Sequence, residues 1–112
     1  MTDHRPAFVA RHLRQAQAVP CHCGVSHRVF PAADVPQAAL HVTEITDSQR
    51  HAHADKLEYY YILEGSGKME LGGEVIDLEK DLAVLIHPGT PHRAWGNIKA
   101  LIVMVPVEAG PL

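Results

Sequence analysis

The residues of this chain with the most chemistry to offer sit in two runs, His51-Ala52-His53-Ala54-Asp55-Lys56-Leu57-Glu58 and Pro88-Gly89-Thr90-Pro91-His92. Imidazole nitrogens and carboxylate oxygens are common donors to divalent transition metals, so His51, His53, Glu58 and His92 form a candidate set of four ligands. In an extended strand side chains alternate faces, which places His51 and His53 on one side and Ala52 on the other. A helix would turn the two rings apart. An isolated His-x-His would be weak evidence in a chain with 9 histidines, because a strand histidine is more often a surface or satisfied core residue. Glu58 close behind, and His92 inside Pro-Gly-x-x-His, make a shared site the better reading.

Three neutral imidazoles and one carboxylate leave a divalent ion with a net charge of about +1 and fill four of roughly six coordination positions. One or two positions then remain for water, dioxygen or an anionic oxygen chelate such as an enediolate, catecholate or hydroxy acid, whose charge the ion would stabilise as a Lewis acid. The expected cofactor is one divalent transition metal, drawn from iron, manganese, zinc, nickel, cobalt or copper, because donor type alone does not select among them. Tyr60 has the parity of Glu58 and is expected to line the same pocket, where its hydroxyl could meet a substrate or merely pack. His41, Glu44 and His87 are chemically able general bases, but their distance from the metal is not set by spacing. Arg93 and Trp95 flank Ala94 and are expected to face outward where Ala94 faces in.

Cys21-His22-Cys23, with His27 beyond, could be read as zinc or redox chemistry. The second half of a zinc knuckle is missing, and a Cys-x-Cys pair is too close for an easy disulfide, so two reduced thiols are expected.

The elements that must position these groups read almost wholly as strands. Runs rich in β-branched and aromatic residues predict strands over Arg28–Phe30, Ala39–Ile45, Leu57–Leu63, Lys68–Leu71, Val75–Leu78, Leu82–Ile86, His92–Trp95 and Ala100–Val105. Turns are expected at Gly65-Ser66-Gly67, Gly72-Gly73, Pro88-Gly89 and Gly96-Asn97. Many short strands in 112 residues point to an all-β, single-domain chain with two antiparallel sheets folded as a jelly roll. Residues 1–24 read as an N-terminal arm or short helix, 25–106 as the barrel and 107–112 as a tail.

Over roughly residues 25–106 the chain resembles the cupin superfamily, in particular its small single-domain bacterial members with a conserved barrel. The first motif of that family, G-x5-H-x-H-x3,4-E-x6-G, is matched by His51, His53, Glu58 and Gly65, and the second, G-x5-P-x-G-x2-H-x3-N, by Gly89 and His92. The departures are Ile45 and Asp81 where the two motifs open with glycine, His87 in place of the motif proline, and Gly96 in place of the final asparagine, with Asn97 next to it. None of these is a ligand position. The resemblance implies a double-stranded β-helix barrel with the metal inside it, held by His51, His53, Glu58 and His92.

The formal charge of −3 is small and the basic residues are scattered, which argues against nucleic-acid binding. The chain has no apolar run of the roughly 18 residues that suggest a membrane helix, and Arg5, Arg11, His12 and Arg14 interrupt the N-terminus, so a cytoplasmic protein without a membrane anchor is expected. The segment Thr2 to Val19 has some transit-peptide character, weakened by Asp3 and the lack of serines. The length is too short for the two-barrel cupins. The expected function is a metal-dependent enzyme acting on a small oxygen-rich molecule, as a dioxygenase or as a Lewis-acid isomerase or cyclase. The alternatives are a non-catalytic module that binds a small ligand through its metal, and a purely structural protein braced by the ion. Among cupins, an intact glutamate counts against the three-histidine thiol dioxygenases, and a complete ligand set against the metal-free sugar-nucleotide epimerases. Small cupins commonly pair, and open sheet edges need cover, so a homodimer is expected.

Overall fold

A computed structural model describes residues 7–21 and 23–107. Residues 1–6 of the expected arm, His22, and residues 108–112 of the expected tail lie outside the described residues. Seven strands follow in chain order: β1 (Gln17–Cys21), β2 (Gly24–Phe30), β3 (Ala39–Asp47), β4 (Lys56–Leu71), β5 (Glu74–Glu79), β6 (Ala83–Ile86) and β7 (His92–Pro106). All pairings are antiparallel, in the order β1-β2-β3-β7-β4-β5, with β6 also on β4.

Two long strands convert this path into a barrel. The first half of β4, Lys56–Ile62, pairs with residues 100–106 of β7, and its second half, Glu64–Leu71, pairs with residues 92–99. A register shift falls between Ile62 and Glu64, and another between Ile45 and Asp47 of β3. Bulges bend the strands that carry them, so each long strand serves one sheet with its first half and the facing sheet with its second. This is the all-β jelly-roll architecture expected from the sequence.

The merging of strands corrects two expected turns. Gly65-Ser66-Gly67 lies inside β4 and Gly96-Asn97 inside β7, with Gly67 paired to Gly96. Glycine is needed there for close approach rather than for reversal of the chain. A Cβ on Gly96, whose φ is +132°, would sit 2.6 Å from the Gly67 Cα and from the Ser66 carbonyl oxygen. The signal read as punctuation was a bend in two paired strands.

Alternation along the strands fills the interior in rows that cross the sheet. Ile45 pairs with Ile98, Thr43 with Ala100 and then Ile62, His41 with Ile102 and then Tyr60, and Ala39 with Met104 and then Glu58. Ile45, Ile62, Ile98, Ala100 and Ile102 belong to the apolar core together with Met69, Leu78 and Ile86. Fully burying such side chains contributes about 1.5–3 kcal/mol each, so the barrel has a core that requires no ion. The polar residues of those rows collect at one end, and that end is the site.

Within the segment expected to be an arm or helix, a 3-10 turn over Leu13–Gln15 is capped by the His12 side chain and leads into β1, which extends the sheet beyond β2. Arg11 secures this segment by donating to the Val29 carbonyl (2.6 Å) and to the Asp34 carboxylate (2.8 Å). The departure at Asp81 also has a structural account. Its φ of 71° is left-handed, a conformation that glycine adopts freely and aspartate tolerates better than most residues, and the Tyr61 hydroxyl donates to its carboxylate at 3.0 Å. Arg93 stacks over the Trp95 ring at 4.7 Å, on either side of the buried Ala94.

Candidate metal centre

The histidine-bearing run does not form a regular strand. β3 ends at Asp47, and the chain that follows is held against β7 by point contacts. Ser48 donates its N–H to the Ala94 carbonyl (2.8 Å), while its hydroxyl oxygen accepts the Ala94 N–H (2.7 Å). His51 and His92 exchange both backbone hydrogen bonds, at 3.0 and 2.8 Å, as an isolated bridge. The His53 carbonyl accepts the Gly89 N–H at 2.7 Å, tying this run to the Pro-Gly turn before His92. The two sequence motifs are thus zipped together by main-chain bonds, which brings the His51 and His92 rings to 4.2 Å between centroids.

Glu58 reaches the same place from β4, between Met104 of β7 and Ile86 of β6. Its Oε1 lies 3.3 Å from His92 Nε2 and 3.5 Å from His53 Nε2. One donor atom each from His51, Glu58 and His92 falls within 4.8 Å of the others. Donors bound to one ion at about 2.1 Å stand roughly 3–4.2 Å apart, so small side-chain adjustments would let these three share it. His53 stands further out. Its ring is 6.2 Å from that of His92, and it meets the group through Glu58.

The imidazoles are oriented to present their outer nitrogens. His51 Nδ1 lies 2.8 Å from the Gln49 carbonyl oxygen, and His92 Nδ1 lies 2.8 Å from that of Thr90. A carbonyl oxygen only accepts, so in the neutral ring each Nδ1 carries the proton and each Nε2 keeps its lone pair. His92 Nε2 is buried and has no hydrogen-bond partner among the described residues. A buried polar atom left in this state is costly unless something else engages it. That donor chemistry fits a divalent metal.

The electrostatics of the cluster follow from burial and from its one carboxylate. Burial pushes Glu58 upward, but the adjacent His92 imidazole, then the fields of His53 and His51, outweigh it, and its carboxyl stays below the usual range. Burial pulls His92 down, and Glu58 together with the Thr90 carbonyl more than offsets this, so its midpoint is raised. His51 is lowered, chiefly by burial and also by its histidine neighbours. In Tyr60, burial and then the Glu58 charge drive the phenol upward, so it stays protonated across the physiological range.

Tyr60 is buried beside this group, its ring edge-on to His92 with centroids 6.4 Å apart. It lines a cavity of about 150 Å³ together with His51, His53, Glu58 and His41. Of the three suggested general bases, His41 is therefore the one the fold brings to the cluster, with Ser26 Oγ 3.4 Å from its Nδ1. Glu44 pairs with His27 at 2.8 Å and does not line this cavity, and neither does the exposed His87.

Cys21 and Cys23 also border the cavity, and they are joined as a disulfide, contrary to the reduced thiols expected. Cys21 ends β1 opposite Gly24, the first residue of β2, so the chain folds back sharply between the two strands. That turn holds the two Cα atoms 5.2 Å apart, inside the span a disulfide requires. Sequence spacing alone does not reveal such a fold-back. Arg28 is a further cavity residue that the sequence did not single out. Its partner across the ladder is His41, and only that register identifies it.

A family model described as the cupin domain matches residues 40–106. An uncharacterized protein of Methanocaldococcus jannaschii is 44% identical over 55 residues, which are 47% of this chain and 44% of that protein, so the match spans less than half the length of this curated relative. Among solved structures, a protein from Planctomyces limnophilus superposes with a TM-score of 0.81 at 29% identity, covering 94% of this chain and 92% of its own. Ectoine synthase from P. lautus superposes with a TM-score of 0.79 at 17% identity, over 90% of this chain and 80% of its own, a likeness of fold.

Proposed function

The chain belongs to the cupin domain family, and from that premise we propose that it is a mononuclear metal-dependent enzyme acting on a small oxygen-rich molecule, with His51, His53, Glu58 and His92 as its ligands. The observation that carries this reading is His92 Nε2: buried, unpartnered among the described residues, 3.3 Å from the one buried carboxylate, and held in the metal-binding tautomer by the Thr90 carbonyl. His53, at the rim, completes the set by swinging in on Glu58, which it already approaches. A divalent ion held there would supply Lewis-acid polarisation of a substrate oxygen.

The remaining chemistry belongs to side chains of the cavity. Tyr60 keeps its phenolic proton and serves as a hydrogen-bond donor to an oxygen that gains charge during reaction. His41 is lowered by burial and then by Arg28 and Lys56, so near neutral pH it is an unprotonated imidazole able to accept a proton. The apolar Ile102 and Met104 complete the wall and limit water. A neutral donor and a neutral acceptor in one small cavity favour proton-transfer chemistry, the isomerase or cyclase branch, over dioxygen insertion.

The outer face supports the homodimer. Tyr59, Tyr61 and Leu85 are 48%, 40% and 44% exposed, and Tyr59 and Leu85 are paired neighbours on β4 and β6, an apolar face suited to a second copy. Elemental analysis of protein purified without tag or added metal, followed by oxygen uptake and proton-exchange assays on enol, diketone and hydroxy-acid panels, tests the enzyme reading. One transition metal per chain, lost in His92→Ala, with exchange of substrate α-protons and no oxygen consumption, is the expected result. Full metal content in His92→Ala would remove that residue from the site, and bound metal without turnover would leave a ligand-binding module.

A further inference from the structure

Beside the metal cavity lies a larger cleft of about 310 Å³, bordered by the loop residues Pro31 and Pro36, by Lys56 at the start of β4, and by Pro106 at the end of β7. The two spaces share Arg28, His41 and Met104, so the cleft abuts the cavity of the candidate metal centre across a common wall. Two permanent cations face it. Neither Arg28 nor Lys56 makes an ion pair among the described residues, although Arg11, Arg50, Lys68 and Arg93 all do. None of the residues lining the cleft is acidic. In a chain of net charge −3, a pocket with two unmatched cations and no carboxylate is a local inversion of sign.

The neighbouring imidazole registers the same field. Burial first, then the charges of Arg28 and Lys56, lower the His41 midpoint, which leaves the cleft with two cations and a neutral donor-acceptor ring. The register explains why they meet. Arg28 is opposite His41 on the β2–β3 ladder, and Lys56 is two residues before Glu58 on β4, hence on the same face and about 7 Å along the strand.

We propose that this cleft is an oxyanion subsite, in which Arg28 and Lys56 hold a carboxylate or phosphate group of the substrate while its reactive oxygen-bearing end lies in the cavity lined by His51, Glu58 and Tyr60. The proposal rests on the reading of that cavity as the reaction centre. It narrows the substrate from an oxygen-rich molecule to a compact organic acid or phosphate ester, because a guanidinium fork matches those groups in two hydrogen bonds. An anion also answers two cations on one cleft, an exposed Arg28 and a partly buried Lys56, which a neutral sugar or ketone would leave unmatched.

The test uses chelator-treated full-length protein, so that metal and subsite are read separately. Malonate, inorganic phosphate and the uncharged malonamide are titrated into wild type, Arg28→Gln, Lys56→Gln and the charge-retaining Arg28→Lys, with heteronuclear NMR as the readout and zinc content after reloading measured in each. Malonate or phosphate binds wild type, and whichever is tighter names the group. Malonamide and Arg28→Gln each weaken binding by about tenfold, Lys56→Gln by a smaller factor, and Arg28→Lys recovers part of the loss. Zinc content is unchanged in all four. Binding to Arg28→Gln and Lys56→Gln as tight as to wild type, malonamide binding as tight as malonate, or no anion binding to wild type would each overturn the subsite. Arg28-dependent anion binding in a protein that takes up no zinc would overturn the metal reading and leave the subsite standing.

Discussion

Replacing Glu58 by glutamine keeps the volume of the side chain and removes the one charge on which the cluster depends. In the metal-free protein the carboxylate faces a His92 imidazole 3.3 Å away, and the side chains are 5% and 2% exposed, so solvent screens the pair little. The contact is an ion pair outside hydrogen-bond geometry, so the loss falls below the roughly 1.5–3 kcal/mol of a charge-assisted hydrogen bond, at about 1 kcal/mol. The pH dependence is the sharper signature. The Glu58 carboxyl is lowered, so its contribution is present above the ordinary value of 4.5 and is lost as pH falls through its folded midpoint. His92 is raised, so its contribution is present below 6.5 and is lost as pH rises through its folded midpoint. Both groups are charged between those limits. The cost of Glu58→Gln is therefore greatest near pH 5.5 and shrinks toward pH 8.5 as His92 loses its proton. Urea unfolding of chelator-treated wild type and variant at the two pH values, with slopes compared to confirm a common unfolded state, measures it. In the same variant the His92 ring should titrate below 6.5 by NMR, because burial is then opposed only by the Thr90 carbonyl. A stability difference equal at both pH values, or a His92 midpoint that does not fall, would refute the coupling.

Zinc binding should release protons, because His92 holds its proton at the pH where His51 has already lost its own; affinity should fall by up to about tenfold per pH unit below the His92 midpoint, checked by calorimetry in buffers of different ionisation enthalpy. Gly96→Ala should destabilise by about 1–3 kcal/mol in thermal unfolding, since its Cβ would overlap Gly67 and Ser66 across the bend. Wild-type stability in this variant would show that the bend opens freely. The Cys21→Ser, Cys23→Ser double variant should lose no more than about 2 kcal/mol, because the closed loop is only three residues long; a larger loss by urea titration would mean that the disulfide holds β1 in place.

The candidate ligand set could be proposed from the chain because its chemistry is local. His51, His53 and Glu58 lie within eight residues, and His92 is marked by a Pro-Gly turn of its own. Tyr60 was legible for a related reason: parity with Glu58 on one strand suffices to place it inside. The two glycine-rich bends misled because glycine permits both chain reversal and close approach, and only the pairing of Gly67 with Gly96 distinguishes them.

Residue type and short-range spacing thus determined the candidate donors, the all-β architecture and the candidate pocket tyrosine. The tertiary structure decided the rest, because those features depend on pairs distant in sequence. The His51–His92 bridge zips the two motifs together and leaves His53 at the rim. The β2–β3 register sets Arg28 beside His41 at the same cavity, and the β1–β2 turn folds two cysteines onto its wall. Each is a consequence of strand register, and register is fixed by which faces the whole barrel can bury, a property that no short segment carries alone.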